Sequence, residues 1–205
     1  MVTTAVDSNV SAIVPDARLI RDALAQHYVT HGLPLDGGAS NPWFDVHIGA
    51  FKIRLPNPPA RRRAVLMHDI NHIVTGYNTT FSEGEMSIAA FEVGAGCGRL
   101  AIVWFINLSL LALAVFVHPR VAFAGFVRGR RTASIYSSDR DPTTLGAMSV
   151  EDVRALLRVD ATDAQPRFSD RVFFAVWAVV AIIVFLAPLA IVLAAAWALV
   201  HALLR

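Results

Sequence analysis

The amino-acid sequence predicts a mainly α-helical fold with a small β-hairpin near the N-terminus and a transmembrane helix at the C-terminus. Three observations support this fold class. In most segments, apolar residues recur at the spacing of an amphipathic helix, between helix-capping and helix-breaking residues. One short segment, 44–55, alternates in the manner of paired strands. Residues 172–204 contain no charged side chain, which is typical of a membrane span.

The composition excludes several classes of protein. The chain has 205 residues, of which 55% are hydrophobic and 17% are charged, and its formal net charge is +2. It is therefore too apolar to be disordered and long enough to form one domain with its own core. The single cysteine, Cys97, excludes an internal disulfide framework and a cysteine-rich zinc module. The nearly balanced charge gives no support for nucleic-acid binding.

Turn and capping residues divide the first half of the chain. We expect Asn57 to cap the helix that follows it, because the two prolines after it are tolerated in a first helical turn. The predicted elements are a flexible N-terminus at 1–15, a helix from Pro15 or Asp16 to His31-Gly32, a hairpin at 44–55 that turns at Gly49-Ala50, and a helix from about Pro58 to Val74.

The second half is predicted to contain further helices, and together they complete a helical domain at 16–160. The apolar segment 100–117 has two internal polar residues and 18 residues in all, so we interpret it as a buried or membrane-leaning helix rather than a span. The other predicted elements are a helix that opens with a capping box at Ser82–Glu85 and ends near Val93, a break at Gly94, Gly96 and Gly98, a helix at 121–126, an amphipathic helix at 150–159 capped by Ser149, and a linker at 161–171.

Residues 172–204 are predicted to anchor the protein in the cytoplasmic membrane. The run is longer than one untilted span and has Pro188 near its middle, so a single kinked or tilted helix is favoured over two short spans. The first twenty residues have no basic residue before Arg18 and do not resemble a secretory signal. We therefore expect the main domain on the cytoplasmic side.

One cluster of reactive side chains has the spacing of a metal site. His68 and His72 lie four residues apart and face the same side of a helix, and Glu85 opens the next helix. Two imidazoles and a carboxylate suit a divalent ion such as zinc or iron. Asp69 is interpreted as a further ligand or as the group that orients an imidazole.

The same residues have simpler interpretations. Glu85 fits a capping box without any metal, and Glu83 favours the positive end of a helix. Cys97, between two glycines, is interpreted as a small buried residue rather than a nucleophile. The remaining histidines of the domain are interpreted as surface, turn or helix-end residues: His27, His31, His47 and His118.

The order of these motifs resembles the coenzyme Q biosynthesis protein 4 family, especially its bacterial members. The family pattern is HDxxH, a short TGY-like turn, and a GE dipeptide that opens a helix. The matching residues here are His68, Asp69 and His72, then Thr75-Gly76-Tyr77, then Gly84-Glu85, followed by Arg128-Gly129-Arg130-Arg131, Ile135-Tyr136 and the helix at 150–159. The resemblance covers about residues 16–160.

The resemblance implies a role in the biosynthesis of ubiquinone or a related quinone. The expected substrate is a prenylated benzenoid intermediate at the membrane surface, and the expected reaction replaces its ring carboxylate by hydroxyl. The implied metal ligands are His68, Asp69, His72 and Glu85, with Asp69 and Glu85 also catalytic. Zinc is the first choice of metal, with iron or manganese as alternatives. Implied partners are membrane lipids, other enzymes of the pathway and a second copy of the chain.

The chain departs from the family pattern in two places. Twelve residues separate His72 from Glu85, one more than the usual family spacing, and this leaves Glu83 as a rival ligand. The anchor after Arg171 lies beyond the usual end of the family and is interpreted as an addition.

Two other functions compete with the enzymatic one. The first is a non-catalytic scaffold or lipid-presenting protein that organises the pathway enzymes and holds a structural metal. The second, a metal-dependent phosphohydrolase of the HD type, is weaker. That type needs a separate upstream histidine and a downstream aspartate, whereas here the partner of the motif is a nearby GE dipeptide.

Overall fold

A computed structural model describes residues 16–38, 40–48, 51–159 and 165–205. The predicted flexible N-terminus at 1–15, the Gly49-Ala50 turn and the first part of the predicted linker lie outside the described residues.

The predicted fold class is confirmed, because the described residues form eight α-helices and one two-stranded sheet. The helices are α1 (Ile20–Thr30), α2 (Pro59–Thr75), α3 (Met86–Ala95), α4 (Ala101–Val117), α5 (Pro119–Gly129), α6 (Pro142–Gly146), α7 (Val150–Leu157) and α8 (Phe168–Leu203). The strands are β1 (Trp43–Ile48) and β2 (Phe51–Pro56), with a π-helical turn at Phe81–Glu85 and a 3-10 turn at Ile135–Ser137.

The first layer of the domain packs α1, α2 and α7 around a shared apolar core. Ile20, Ile70 and Val153 are completely buried there. The first helix begins at Ile20 rather than at Asp16, because Leu19 is extended and forms an antiparallel bridge with Ser149. The predicted Ser149 cap is confirmed, since its hydroxyl accepts a hydrogen bond from the Asp152 amide.

The β-hairpin is confirmed, but the predicted cap at Asn57 is wrong. Strands β1 and β2 are antiparallel, and the pair of Ile48 with Phe51 leaves two residues for the turn. The residue at the N-terminus of α2 is Pro58, which provides no side-chain cap. Asn57 instead donates from its side-chain amide to the carbonyl oxygens of Gly38 and Asn41. It therefore joins the loop between α1 and β1 to the start of α2.

The second layer packs α3 against α4 and α5. The predicted break at Gly94 is wrong, because α3 continues through Gly94 to Ala95. Gly94 lies against the Phe126 carbonyl, and Gly129 lies against the Phe91 carbonyl. A Cβ at either glycine would overlap backbone, so glycine allows α3 and α5 to approach this closely.

The C-terminal run is one continuous helix with Pro188 inside it, as predicted. Helix α8 begins at Phe168, so its first turn includes residues assigned to the linker. Of the described helices, only α8 is long and apolar enough to cross a membrane. Its 36 residues correspond to about 54 Å.

The two halves of α8 have different surroundings. In the first half, Ala181 is completely buried, and Trp177 stacks on Trp104 of α4 with the ring centroids 4.9 Å apart. From residue 185 onward, every residue except Ala187 is exposed. About 20 apolar residues therefore project beyond the domain, which matches the thickness of the hydrocarbon core of a bilayer.

Helix α8 leaves the domain at the connection between α4 and α5. Asp170 pairs with Arg130 at the end of α5 at 3.0 Å, whereas Phe174 packs on Phe126 and Phe123, which lie earlier in α5. Helix α8 therefore runs antiparallel to α5 and continues past the residues that join α4 to α5. At this end of the domain, Phe116 is 70% exposed.

Segment 100–117 forms helix α4, which packs on the domain through one face. Helix α4 buries Asn107 and Leu111 against the domain and leaves Phe105 and Ile106 exposed. A helix with one buried face and one exposed apolar face agrees with a packed, membrane-leaning helix.

Packing of the first half of α8 gives a stability prediction. Replacing Ala181 with leucine inserts a larger side chain between helices and should destabilise the domain by about 1–3 kcal/mol. The matched control is Ala190→Leu in the exposed half, which should change the unfolding temperature little. Thermal unfolding of both variants in the same detergent distinguishes the sites, and equal melting temperatures would contradict the packed arrangement.

Candidate metal centre

Helix α2 places His68 and His72 one turn apart on the same face, as predicted. Their Nε2 atoms are 3.1 Å apart, and the two rings are nearly perpendicular, with an interplanar angle of 82°. The His72 side chain is only 1% exposed. The two imidazoles therefore converge on one point at the edge of the core.

Glu85 completes the cluster. Its Oε2 lies 3.4 Å from His68 Nε2, and its Oε1 lies 3.5 Å from His72 Nε2. One ligand atom from each of the three residues lies within 4.8 Å of the others. In the described part of the chain, this is the one group of three or more such side chains with metal-site geometry.

A π-helical turn brings Glu85 to this position. The Glu85 amide donates to the Thr80 carbonyl five residues earlier, at 2.9 Å. A π turn accommodates one residue more than an α turn. The helical segment begins at Phe81 with Thr80 as its cap, so the predicted start at Ser82 is wrong. Glu83 lies outside the three-residue cluster.

Hydrogen bonds on the far side of each ring define its orientation. His72 Nδ1 lies 3.0 Å from the Tyr77 carbonyl oxygen, and His68 Nδ1 lies 3.1 Å from Glu92 Oε1. Both oxygens only accept, so each Nδ1 carries the proton. Each Nε2 then faces the cluster, where it can present a lone pair to an ion once it carries no proton.

The turn that supplies the Tyr77 carbonyl is held by α5. Arg128 donates from its guanidinium to the Thr75 carbonyl at 2.8 Å and lies over the Tyr77 ring, 5.1 Å from its centroid. The Arg128 segment and the TGY turn, which are far apart in the sequence, thus meet behind His72.

Glu92 is the most important residue that the sequence analysis missed. Its side chain is 1% exposed and accepts hydrogen bonds from His68 and from three other side chains. The three are Asn71 at 2.8 Å, Asn107 at 2.5 Å and Tyr136 at 2.9 Å. Glu92 lies two helical turns after Glu85, in an otherwise apolar helix. An acidic residue at such a position could have indicated that it belongs to the site.

The charges of the cluster depend on one another. Although burial acts to lower the pKa of His68, the carboxylates of Glu92 and Glu85 raise it well above its usual value. Burial acts to raise the pKa of Glu85, but hydrogen bonds and charge from His68 and His72 lower it. Burial also acts to raise the pKa of Glu92, but the charge of His68 and hydrogen bonds from His68, Asn71 and Asn107 lower it. A divalent cation would take the place of the His68 Nε2 proton that faces Glu85.

Asp69 lies outside this cluster, so the structure assembles three of the four predicted ligands. Its Oδ2 accepts a hydrogen bond from the Tyr28 hydroxyl at 2.8 Å. Burial raises the pKa of Asp69, although the neighbouring histidines oppose that change. The residue that orients an imidazole is Glu92, and Asp69 instead joins α2 to α1.

The other predicted residues have mixed outcomes. His31 is exposed and His118 ends α4, as expected. His27 is not a simple surface residue, because it is half-buried and its ring stacks on His72 at 6.2 Å between centroids. Burial and the nearby histidines lower its pKa to about 4. Cys97 is completely buried, as predicted, and burial raises its pKa to about 12. The side chain of His47 lies outside the described residues.

The donor set fits a divalent ion with open coordination positions. Two imidazole nitrogens and one carboxylate are a ligand combination of catalytic zinc sites, and the same combination binds non-haem iron. A cavity of about 210 Å³ reaches the cluster and supplies space for a further ligand. Its walls include His68, Glu85 and Glu92 on one side and Val103, Ile106 and Leu110 of α4 on the other.

Comparisons with models of protein families, with curated proteins and with solved structures found no match. The family resemblance therefore remains a prediction from the ordered motifs.

The hydrogen bond from His68 to Glu92 gives a prediction for metal affinity. Replacing Glu92 with glutamine preserves the size of the side chain but removes its charge, so it should hold the His68 ring less firmly. We expect zinc affinity to fall about 10- to 100-fold, measured by competition with a chromogenic chelator. Glu151→Gln, an exposed change on α7, is the matched control and should leave the affinity unchanged. Equal affinities in the two variants would show that Glu92 does not support the site.

Proposed function

We propose that the protein is a membrane-associated, metal-dependent enzyme of ubiquinone or related quinone biosynthesis. It acts on a prenylated benzenoid intermediate and replaces the ring carboxylate by hydroxyl. The observation that carries this proposal is the convergence of His68, His72 and Glu85, since the motif order that implies the pathway also implies these ligands. Twelve residues separate the last two of them, and a π turn still brings Glu85 to the histidines.

The net reaction defines what the site must do. The ring carbon loses its carboxylate as carbon dioxide and gains one oxygen atom, which is a two-electron oxidation. With dioxygen as the oxidant and water as a co-reactant, the reaction balances with hydrogen peroxide as the second product. A bound divalent metal supplies a Lewis acid with open positions. His68 and His72 would hold this ion through their Nε2 atoms, and Glu85 would supply negative charge. Glu92 keeps the His68 ring in one orientation.

The cavity beside the cluster supports an amphiphilic aromatic substrate. The wall formed by Val103, Ile106 and Leu110 is apolar, whereas the opposite wall carries the ionisable residues of the cluster. A benzenoid ring in the cavity would contact both walls. Ile106 and Phe105 continue the apolar surface outside the cavity, and a prenyl chain can leave the site along this face of α4.

The position of α8 supports a reaction at the membrane surface. If residues 185–204 cross the bilayer, the connection between α4 and α5 lies at the interface, because α8 leaves the domain there. Ile106, at the cavity, is eleven residues before Val117, which is about 16 Å along α4. This distance is short enough for a prenyl chain to remain in the bilayer while its ring reaches the metal. The cytoplasmic orientation of the domain, and contact with lipids, other pathway enzymes or a second copy, belong to this proposal.

A scaffold with a structural metal is the second candidate. The exposed apolar residues Phe105 and Phe116 favour it, because such a surface also suits a protein partner. The two functions differ in whether the metal ligands are needed for turnover or only for folding.

Substitution of the ligands tests the enzymatic function. His68→Ala and Glu85→Gln should each reduce turnover of a short-chain prenylated 4-hydroxybenzoate by at least about a hundredfold, because each removes a ligand of the metal. The assay measures carbon dioxide release and ring hydroxylation by mass spectrometry, with the full chain in lipid vesicles under air.

Glu83→Gln is the matched control, because Glu83 precedes Glu85 by two residues but lies outside the cluster. It should retain activity. No turnover by the wild type, together with unfolding when the metal is removed, would contradict the enzymatic function and support the scaffold. Loss of activity in Glu83→Gln alone would assign the third ligand to Glu83.

A further inference from the structure

Arg61 presents a preorganised guanidinium in the cavity beside the metal cluster. Its Nη1 donates to Asn57 Oδ1 at 3.0 Å, and the guanidinium lies flat on the Phe44 ring, 3.5 Å from the centroid. Asn57 is itself fixed by two hydrogen bonds to backbone carbonyls of the loop between α1 and β1. The position of the charged group is therefore determined by β1 and by the loop before α2.

One edge of this guanidinium has no partner. The Nε atom is buried and makes no hydrogen bond within the described residues. Because Asn57 occupies Nη1, the free edge is the one formed by Nε and Nη2, which is a bidentate site for a carboxylate. No described carboxylate lies within salt-bridge distance of Arg61. A buried guanidinium donor of this kind normally has an acceptor.

Arg61 and the metal cluster lie on the same cavity wall. Arg61 precedes His68 by seven residues, so the two side chains share a face of α2 and are separated by about 10 Å along the helix axis. Both line the cavity of about 210 Å³, together with Glu85. The two carboxylates of the cavity already have partners, because Glu85 lies against both histidines and Glu92 accepts four hydrogen bonds.

The cavity is therefore lined by a cation, by residues of the metal cluster and by apolar residues of α4. Its volume suits one substituted aromatic ring rather than a large phosphorylated ligand. A planar carboxylate matches the free guanidinium edge in shape and charge.

We propose that Arg61 is the subsite that binds the carboxylate of an aromatic acid in this cavity. The assignment of the aromatic ring rests on the proposed function, whereas the preference for an anion rests on Arg61 alone. Arg61 thereby selects carboxylated aromatic acids against neutral ones.

Binding of two matched small molecules tests this subsite. The probes are 4-hydroxybenzoate and the neutral 4-hydroxybenzamide, titrated into the zinc-loaded full chain in detergent by calorimetry. The wild type should prefer the acid by about 10- to 100-fold, as expected for a charged hydrogen-bonded pair. Arg61→Gln should bind both probes equally while its zinc content stays at the wild-type level. Arg61→Lys should keep part of the preference, because it retains the charge without the bidentate edge.

The control is Arg63→Gln, which removes an exposed arginine two residues away and should keep the full preference. An unchanged preference in Arg61→Gln would overturn the proposal and place the carboxylate on the metal instead. Equal binding of the two probes by the wild type, or binding of neither, would also overturn it. The failure of the proposed function would be distinguishable from the failure of this subsite. If the wild type shows no turnover but prefers the acid, and Arg61→Gln abolishes that preference, the proposed function fails and the subsite stands.

Discussion

The buried carboxylate of Glu92 is the constraint on which the rest of the site depends. A charge that is 1% exposed must be fully hydrogen-bonded, because an unpaired buried carboxylate is strongly destabilising. The donors come from three parts of the fold: His68 and Asn71 from α2, Asn107 from α4, and Tyr136 from the 3-10 turn. Glu92 therefore fixes how the two layers meet and which nitrogen of His68 faces the cluster.

The candidate site lies at the junction of these layers. This location explains why the site combines ionisable and apolar residues. The first layer contributes the two histidines and Arg61, the π turn before α3 contributes Glu85, and α4 contributes an apolar wall. Helix α8 packs on the outer side of the second layer and leaves the domain at the end of α4. Helix α4 thus lines the cavity and leads from it to the end of the domain where α8 projects.

The sequence could predict what depends on local spacing. The pairing of His68 with His72 follows from helical periodicity, and the hairpin and the Ser149 cap follow from local residue preferences. The π turn at Phe81–Glu85 was not predictable, because the sequence does not show where a helix will accommodate an additional residue in one turn. Glu92 and Asp69 were missed or misassigned because their partners are distant in sequence: Tyr136 lies 44 residues from Glu92, and Tyr28 lies 41 residues from Asp69. Long-range partners of this kind depend on tertiary packing.

We infer that His68, His72 and Glu85 hold a metal ion in the native protein. Elemental analysis of the full chain, purified from membranes without added metal or chelator, tests it most directly. We expect about one divalent ion per chain in the wild type, a loss of that ion in His68→Ala, and its retention in His27→Ala, whose ring stacks on His72 but lies outside the cluster. A metal-free wild-type protein, or equal metal content in His68→Ala and the wild type, would contradict the account.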